Sequence, residues 1–183
     1  MSLRCRVCAC AAATALALSP FAGVPACAGD PNPVPLVRKG DPAMSAAFAR
    51  AAAAFDDFLA VWRRPPDDAN GFAVKLGIVD AMDARGFAIV RPDSETTALV
   101  EWFWCGDLQG DGERFTARIG DEPESLRNVR YGQIVRFTRA DIGDWMYWRG
   151  GKIVGNATAC PALAHASAQE RRQMKDQYGI VCD

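Results

Sequence analysis

Two carboxylates in this sequence are set among apolar residues. Glu101 falls between Val100 and the run Trp102-Phe103-Trp104, and Asp144 stands directly before Trp145. A carboxylate in such surroundings must be paired, hydrogen-bonded or protonated. For Glu101 the expected partner is Lys75 or Lys152. For Asp144 the expectation is acceptance of backbone or indole N–H bonds that lock the corner from Ile142 to Tyr147. The reactive alternative is an acid/base pair, which requires both groups in one open cleft about 5 to 10 Å apart.

Other chemistries lack their residues. The chain has one histidine, His165, in the connection before the last predicted helix, where an exposed loop position is expected. Any Ser/His or Cys/His nucleophile would have to use it. No H-E-x-x-H, G-x-S-x-G or phosphate-cradling glycine loop occurs. Cys105, Cys160, Cys182 and His165 include no close ligand pair, so no metal site is expected. Asp107, Asp111 and Glu113 surround Gly110 and Gly112, but not at the alternate positions of a calcium loop; a plain hairpin turn is expected. Nothing calls for a cofactor.

The aromatic set reads differently. Trp102, Trp104, Trp145, Tyr147 and Trp148 come from two predicted strands and fall on both faces. Some must be core. Tyr147 and Trp148, grouped with Arg149 and Asn156, would make a sticky patch for a protein or glycan if they reach the surface.

The elements that must position these residues are legible. Asp41 is an N-cap and Pro42 suits the first helical position. Met44, Phe48, Ala51, Phe55, Phe58 and Trp62 then form one apolar stripe, ended by Pro65-Pro66. Phe72, Val74, Leu76 and Ile78 alternate as a strand with one buried face. Further strands are predicted at 86–91, 97–105, 114–119, 133–138, 144–149 and 152–158. A turn at Pro92-Asp93-Ser94 and a two-residue hairpin at Gly150-Gly151 connect them. Ser167 and Glu170 form a capping box that opens a helix to about Tyr178. Gly77, Gly86, Gly106, Gly132 and Gly143 punctuate the strands and predict curvature. The fold class is α+β: an N-terminal amphipathic helix on a curved antiparallel sheet of six or seven strands, with a short C-terminal helix.

The first residues read as an export signal. Arg4 and Arg6 precede an apolar stretch from Val7 to Val24, and Ala26-Cys27-Ala28 fits cleavage before Gly29. The stretch is too short for a membrane span. Val24-Pro25-Ala26-Cys27 offers an alternative, a lipid anchor at Cys27. The expected organisation is thus a signal peptide 1–28, a Pro-rich leader 29–40 and one domain 41–183. Residues 1–28 hold two of the 21 basic residues and none of the 22 acids, leaving 19 against 22 and a formal −3. That charge argues against nucleic acid or anionic lipid as partner. Export permits disulfides; Cys160 and Cys182 flank the last helix and are the expected pair, with Cys105 a buried thiol.

One set of residues carries a family resemblance. In order they are Asp41-Pro-Ala-Met44-Ser-Ala-Ala, Phe72-Ala-Val-Lys75, Glu101-Trp-Phe-Trp104, Asp121-Glu-Pro123 and Gly132-Gln-Ile-Val135. Ile142-Gly-Asp144-Trp145-Met146-Tyr147 and Gly151-Lys152-Ile-Val-Gly155-Asn156-Ala-Thr158 complete the series. Over about residues 41–160 they resemble the YegJ-like family, an exported bacterial domain of unknown function. The chain departs from its pattern at Asp121, more often Asn, and at Trp102, more often His. Residues 80–96 read as an insertion and the tail through Cys182 as an addition. The resemblance implies the fold and export, and carries no activity.

The expected function is that of an exported, periplasmic or secreted, non-enzymatic domain that binds another envelope protein. An inhibitor or immunity role fits its size and acidity. The alternatives are an envelope hydrolase using Glu101 and Asp144, and a purely structural envelope protein.

Overall fold

A computed structural model describes residues 41–90 and 100–182, apart from the side chains of Ile89 and His165. The signal segment, the leader, the Cys27 anchor and the turn at Pro92-Asp93-Ser94 lie outside the described residues.

Asp41 accepts a bond from the Met44 N–H at 2.9 Å and Pro42 opens α1, Pro42–Ala53. The single helix expected from the stripe is in fact two, because Ala54 leaves the helical region (φ −97°, ψ 9°) before α2 begins at Phe55–Arg63. The break lets the two halves serve different surfaces. Phe48 of α1 stacks on Trp102 with ring centres 5.0 Å apart. Phe55 and Phe58 of α2 enter the main core, where Phe58 is 0% exposed and lies 5.3 Å from Trp145. Truncating a side chain so placed costs about 3 to 5 kcal/mol.

Seven strands follow: β1 Ala69–Met82, β2 Ala88–Val90, β3 Val100–Gly110, β4 Arg114–Ile119, β5 Ile134–Thr138, β6 Ile142–Arg149 and β7 Lys152–Gly155. All pairings are antiparallel, in the order β5-β4-β3-β1-β6-β7, with β2 pairing β1 beyond the end of β6. The α+β expectation holds. β1 is the hinge of the sheet and longer than its alternation of apolar residues indicated. Val74, Leu76 and Ile78 face α2 together with Phe103 and Cys105, their partners or near partners on β3. Register irregularities between Asn70 and Ala73, and between Gly106 and Gln109, bend the sheet. The bend brings β2 against β5, where the Arg136 guanidinium lies 3.9 Å from the Phe87 ring centre. The sheet does not close.

β7 stops at Gly155, short of the expected residue 158, because Gly155 (φ 87°) and Asn156 (φ 57°) turn the backbone left-handed. At Gly155 a side chain would collide with the Trp145 carbonyl and indole. The chain then forms α3, Ala159–Ala162, a 3-10 turn Leu163–His165, and α4, Ala168–Tyr178. The capping box is present: Ser167 Oγ accepts from the Glu170 N–H and Glu170 accepts from the Ser167 N–H. Cys160 and Cys182 form the expected disulfide, with Cα atoms 5.3 Å apart. No helix of the described residues is long and apolar enough to cross a membrane.

Candidate functional site

The two carboxylates read from sequence lie on opposite faces of the sheet. Glu101 is the register partner of Ile78 and so points with Ile78, Leu76 and Phe103 toward the core side. Asp144 pairs with Lys75, three residues along β1 and therefore on the other side. Two surface depressions include neither group: one is lined by Ala51, Phe55, Glu113 and Arg139, the other by Gln109, Arg114, Thr116 and Arg136. The cleft that an acid/base pair requires is not built from these two residues.

Glu101 does not pair with Lys75 or Lys152, which corrects the expected salt bridge. Its Oε1 accepts the Glu124 N–H at 2.8 Å, and its Oε2 accepts the N–H groups of Ser125 (3.1 Å) and Leu126 (3.2 Å). Asp80, at the far end of β1, does the same for the next two residues. Its Oδ1 accepts from Arg127 at 3.0 Å and Asn128 at 2.8 Å. Asp121 binds the loop's entry, its Oδ2 accepting the Trp104 N–H at 2.9 Å. Three carboxylates thus hold the connection between β4 and β5 by its backbone, while Leu126 and Val129 anchor it in the core. No local pattern marks Asp80, which stands at the start of the segment 80–96 that reads as an insertion. The Asp121-Glu-Pro123 string was the available signal for the loop.

What the loop presents is distinct. Arg127, Arg130 and Tyr131 are exposed, Tyr131 by 59%, and Ile134 at the foot of β5 by 47%. Arg118, the register partner of Ile134, donates to the Gly132 carbonyl at 2.6 Å and pairs with Asp107 at 3.1 Å. Asp107 is thereby a surface ion-pair member. Asp111 caps its own hairpin, its Oδ1 accepting the Glu113 and Arg114 N–H groups, as a plain turn requires.

Asp144 accepts two backbone N–H groups, one of them outside the Ile142 to Tyr147 corner. It is 0% exposed; Oδ1 accepts the Trp145 N–H and Oδ2 the Thr158 N–H, each at 2.8 Å. This ties β6 to the Gly155-Asn156-Ala-Thr158 turn. Lys75 extends the knot, its Nζ donating to Thr158 Oγ1 at 3.1 Å and standing 5.4 Å from the Trp104 ring centre. Burial pushes the Lys75 ammonium below its ordinary value, and the Asp144 and Asp121 charges oppose that shift. A lysine of lowered affinity for protons beside a hydroxyl has the composition of a nucleophile dyad. Thr158 is 0% exposed, however, so no substrate reaches its hydroxyl.

The aromatic patch needs correcting. Tyr147 is core, 6% exposed and stacked on Phe72 at 5.2 Å. Trp148 is half-buried, its edge against Tyr178 of α4 at 5.9 Å. Trp145 is core and donates its indole N–H to the Ala51 carbonyl at 2.8 Å. Asn156 serves the turn, donating its N–H to Trp145 O at 2.8 Å. Arg149 is exposed and pairs with Asp68 at 3.4 Å. Lys152 donates to the Asp176 carbonyl and lies along Gly179. Tyr147 offers no outward surface and Trp148 only part of one, because β6 is an interior strand of the sheet and Tyr178 of α4 packs against Trp148. Cys105 is free and buried, and burial, with the Asp121 charge adding, pushes its thiol up to about 12. Among the described residues no cluster of three or more metal-ligating side chains occurs.

Residues 41–181 match the family described as an uncharacterized protein conserved in bacteria, DUF2314. The match runs through α3 and α4, beyond the limit near residue 160 drawn from the motifs. The chain is similar to uncharacterized protein YegJ of Escherichia coli (strain K12), with 32% identity over 73% of this chain and 75% of that one. It is also 30% identical over 56% of its length to a putative ankyrin repeat protein of Neisseria meningitidis serogroup B, of which the matched part is 41%. No solved structure matches.

Proposed function

The chain belongs to the DUF2314, YegJ-like family, and from that premise we propose that it is an exported, non-enzymatic domain that binds another envelope protein through the loop between β4 and β5. One observation carries the reading. Glu101 and Asp80 hold the backbone of this loop, and the loop displays Arg127, Arg130 and Tyr131 to solvent. Tyrosine and arginine are the side chains from which interface hot spots are most often built. A loop ordered in advance binds without the entropy cost of ordering on contact. The Cys160–Cys182 disulfide suits an oxidising compartment. Recurrence of the segment within a longer chain, the Neisseria protein named for ankyrin repeats, suits a binding module.

The test is site-specific photo-cross-linking in the living bacterium. With p-benzoylphenylalanine in place of Tyr131, a discrete protein adduct is expected in the envelope fraction, and none with the same group in place of the exposed Gln173 of α4. Absence of a discrete adduct at position 131, or equal adducts at both, overturns the reading.

A further inference from the structure

The loop and its two flanking strands carry charge of the opposite sign to the rest of the chain. From Arg114 to Arg139 there are six arginines (114, 118, 127, 130, 136 and 139) against Asp121, Glu122 and Glu124, a formal +3 in a chain whose total is −1. The remaining residues therefore sum to −4. Strand alternation puts three of these arginines, 114, 118 and 136, on one face. Arg114, Thr116 and Arg118 of β4 stand on the outer face opposite Thr138, Arg136 and Ile134 of β5, while Phe115, Ala117, Val135 and Phe137 turn inward. Arg114 and Arg136 line a shared surface depression with Gln109 and Thr116. The loop adds Arg127 and Arg130 beside Tyr131.

The arginines are not equally committed. Arg139 pairs with Asp56 at 2.7 Å, Arg118 with Asp107, and Arg114 stands 3.8 Å from Asp111. Arg136 lies over Phe87. Arg127 and Arg130 are exposed, and among the described residues no carboxylate lies in ion-pair range of either; their backbones are held by Asp80 and by the Gln133 side chain. Their backbones are anchored and their exposed guanidinium groups face solvent, where a planar fork can take a bidentate carboxylate.

Resting on the reading above, we infer that the loop's partner is recognised by an acidic, partly apolar peptide segment: carboxylates on Arg127 and Arg130, with an apolar side chain against Tyr131 and Ile134. The observations favour this over a continuous polyanion. Glu122 and Glu124 lie within the same loop and, with the −4 of the remaining chain, repel a uniformly charged strand or surface. Tyr131 and Ile134 offer apolar area that a phosphate backbone does not use.

The experiment uses the full chain and a defined probe, a fluorescein-labelled peptide of alternating Glu and Leu, with binding read by anisotropy. Its comparators are the Gln/Leu peptide, a single-stranded oligodeoxynucleotide of equal charge, and vesicles of phosphatidylserine and phosphatidylcholine. The Glu/Leu peptide is expected to bind at least roughly tenfold more tightly than any comparator and to weaken with salt. Arg127→Glu/Arg130→Glu, and the milder Arg127→Gln/Arg130→Gln, should weaken it roughly tenfold or more. The charge reversal Arg172→Glu/Lys175→Glu on α4 should leave it unchanged. Equal loss in the α4 variant, no loss in the loop variants, or tighter binding of oligonucleotide or vesicle overturns the inference. The position-131 adduct separates the two claims. If it persists in Arg127→Glu/Arg130→Glu, the acidic-segment inference fails and the binding role stands; if the wild-type background yields none, the binding role itself fails.

Discussion

Lys75 and Thr158 meet across 83 positions of sequence, with the lysine Nζ 3.1 Å from the threonine Oγ1. The contact closes a knot in which Asp144 holds the Thr158 N–H and Trp104 lies beneath the ammonium. It joins the central strand to the turn after β7. This lysine is half-buried and its ammonium is committed to the groups that hold it, with the threonine hydroxyl beyond it fully buried.

The knot has a pH signature. Burial lowers the proton affinity of Lys75 below its ordinary 10.5, with Asp144 and Asp121 restoring part of it. The unfolded chain binds that proton more tightly, so the cost is present at neutral pH and vanishes as pH rises to 10.5. The stability of wild type relative to Lys75→Met should therefore rise over the interval just below 10.5, measured by paired denaturant titrations. The Cys105 thiol contributes oppositely in that range but equally in both proteins. A flat difference would show that Lys75 titrates as if exposed.

Glu101→Gln should free the loop while leaving the strand. An amide has one acceptor oxygen where three N–H groups are now bound, and its own N–H₂ opposes the others. A loss of about 1 to 3 kcal/mol in global stability is expected. Hydrogen exchange should quicken at Glu124, Ser125 and Leu126, and Asp80→Asn should quicken Arg127 and Asn128. Unchanged exchange at these amides would refute the anchoring role.

Gly155→Ala should cost more than an ordinary surface change. The residue sits at φ 87°, and a β-carbon meets the Trp145 carbonyl and indole. A destabilisation of about 2 kcal/mol or more follows from backbone strain and displacement of Trp145. Gly150→Ala, at φ 53° but with no neighbour within 4 Å, should cost less. Thermal melts of both variants decide the order.

Thiol chemistry should separate the three cysteines of the domain. Cys105, buried and pushed up to about 12, should resist alkylation in the native protein and react once unfolded. Cys160 and Cys182 should react only after reduction. Cys160→Ser/Cys182→Ser should lose about 3 kcal/mol. Its excess hydrogen exchange should concentrate in α4, which buries no residue of its own. Peptide-level mass mapping reads all of these; alkylation of native Cys105 at the rate of a free thiol would contradict its burial.

Local physics was legible in the residues alone. The Asp41 cap, the Ser167–Glu170 box, the Gly150-Gly151 turn and the alternation of Phe72, Val74, Leu76 and Ile78 each report a backbone geometry that the neighbouring residues enforce. Asp144 was legible for the same reason, since one of its two partners is the adjacent N–H. The Cys160–Cys182 pairing followed from two thiols flanking one short helix.

Tertiary structure decided what those elements meet. Alternation says which side of a strand a residue faces, but not whether that side is covered. Tyr147 and Trp148 could be assigned opposite faces from sequence, yet only the packing of α2 and α4 buried the one and half-covered the other. A carboxylate likewise carries no mark of its partner. Glu101 took backbone N–H groups 23 to 25 positions away, and Asp80 took others 47 and 48 away, because the bent sheet brings β1 and β3 under one loop. That convergence is a property of strand order and curvature, which no local run of residues encodes.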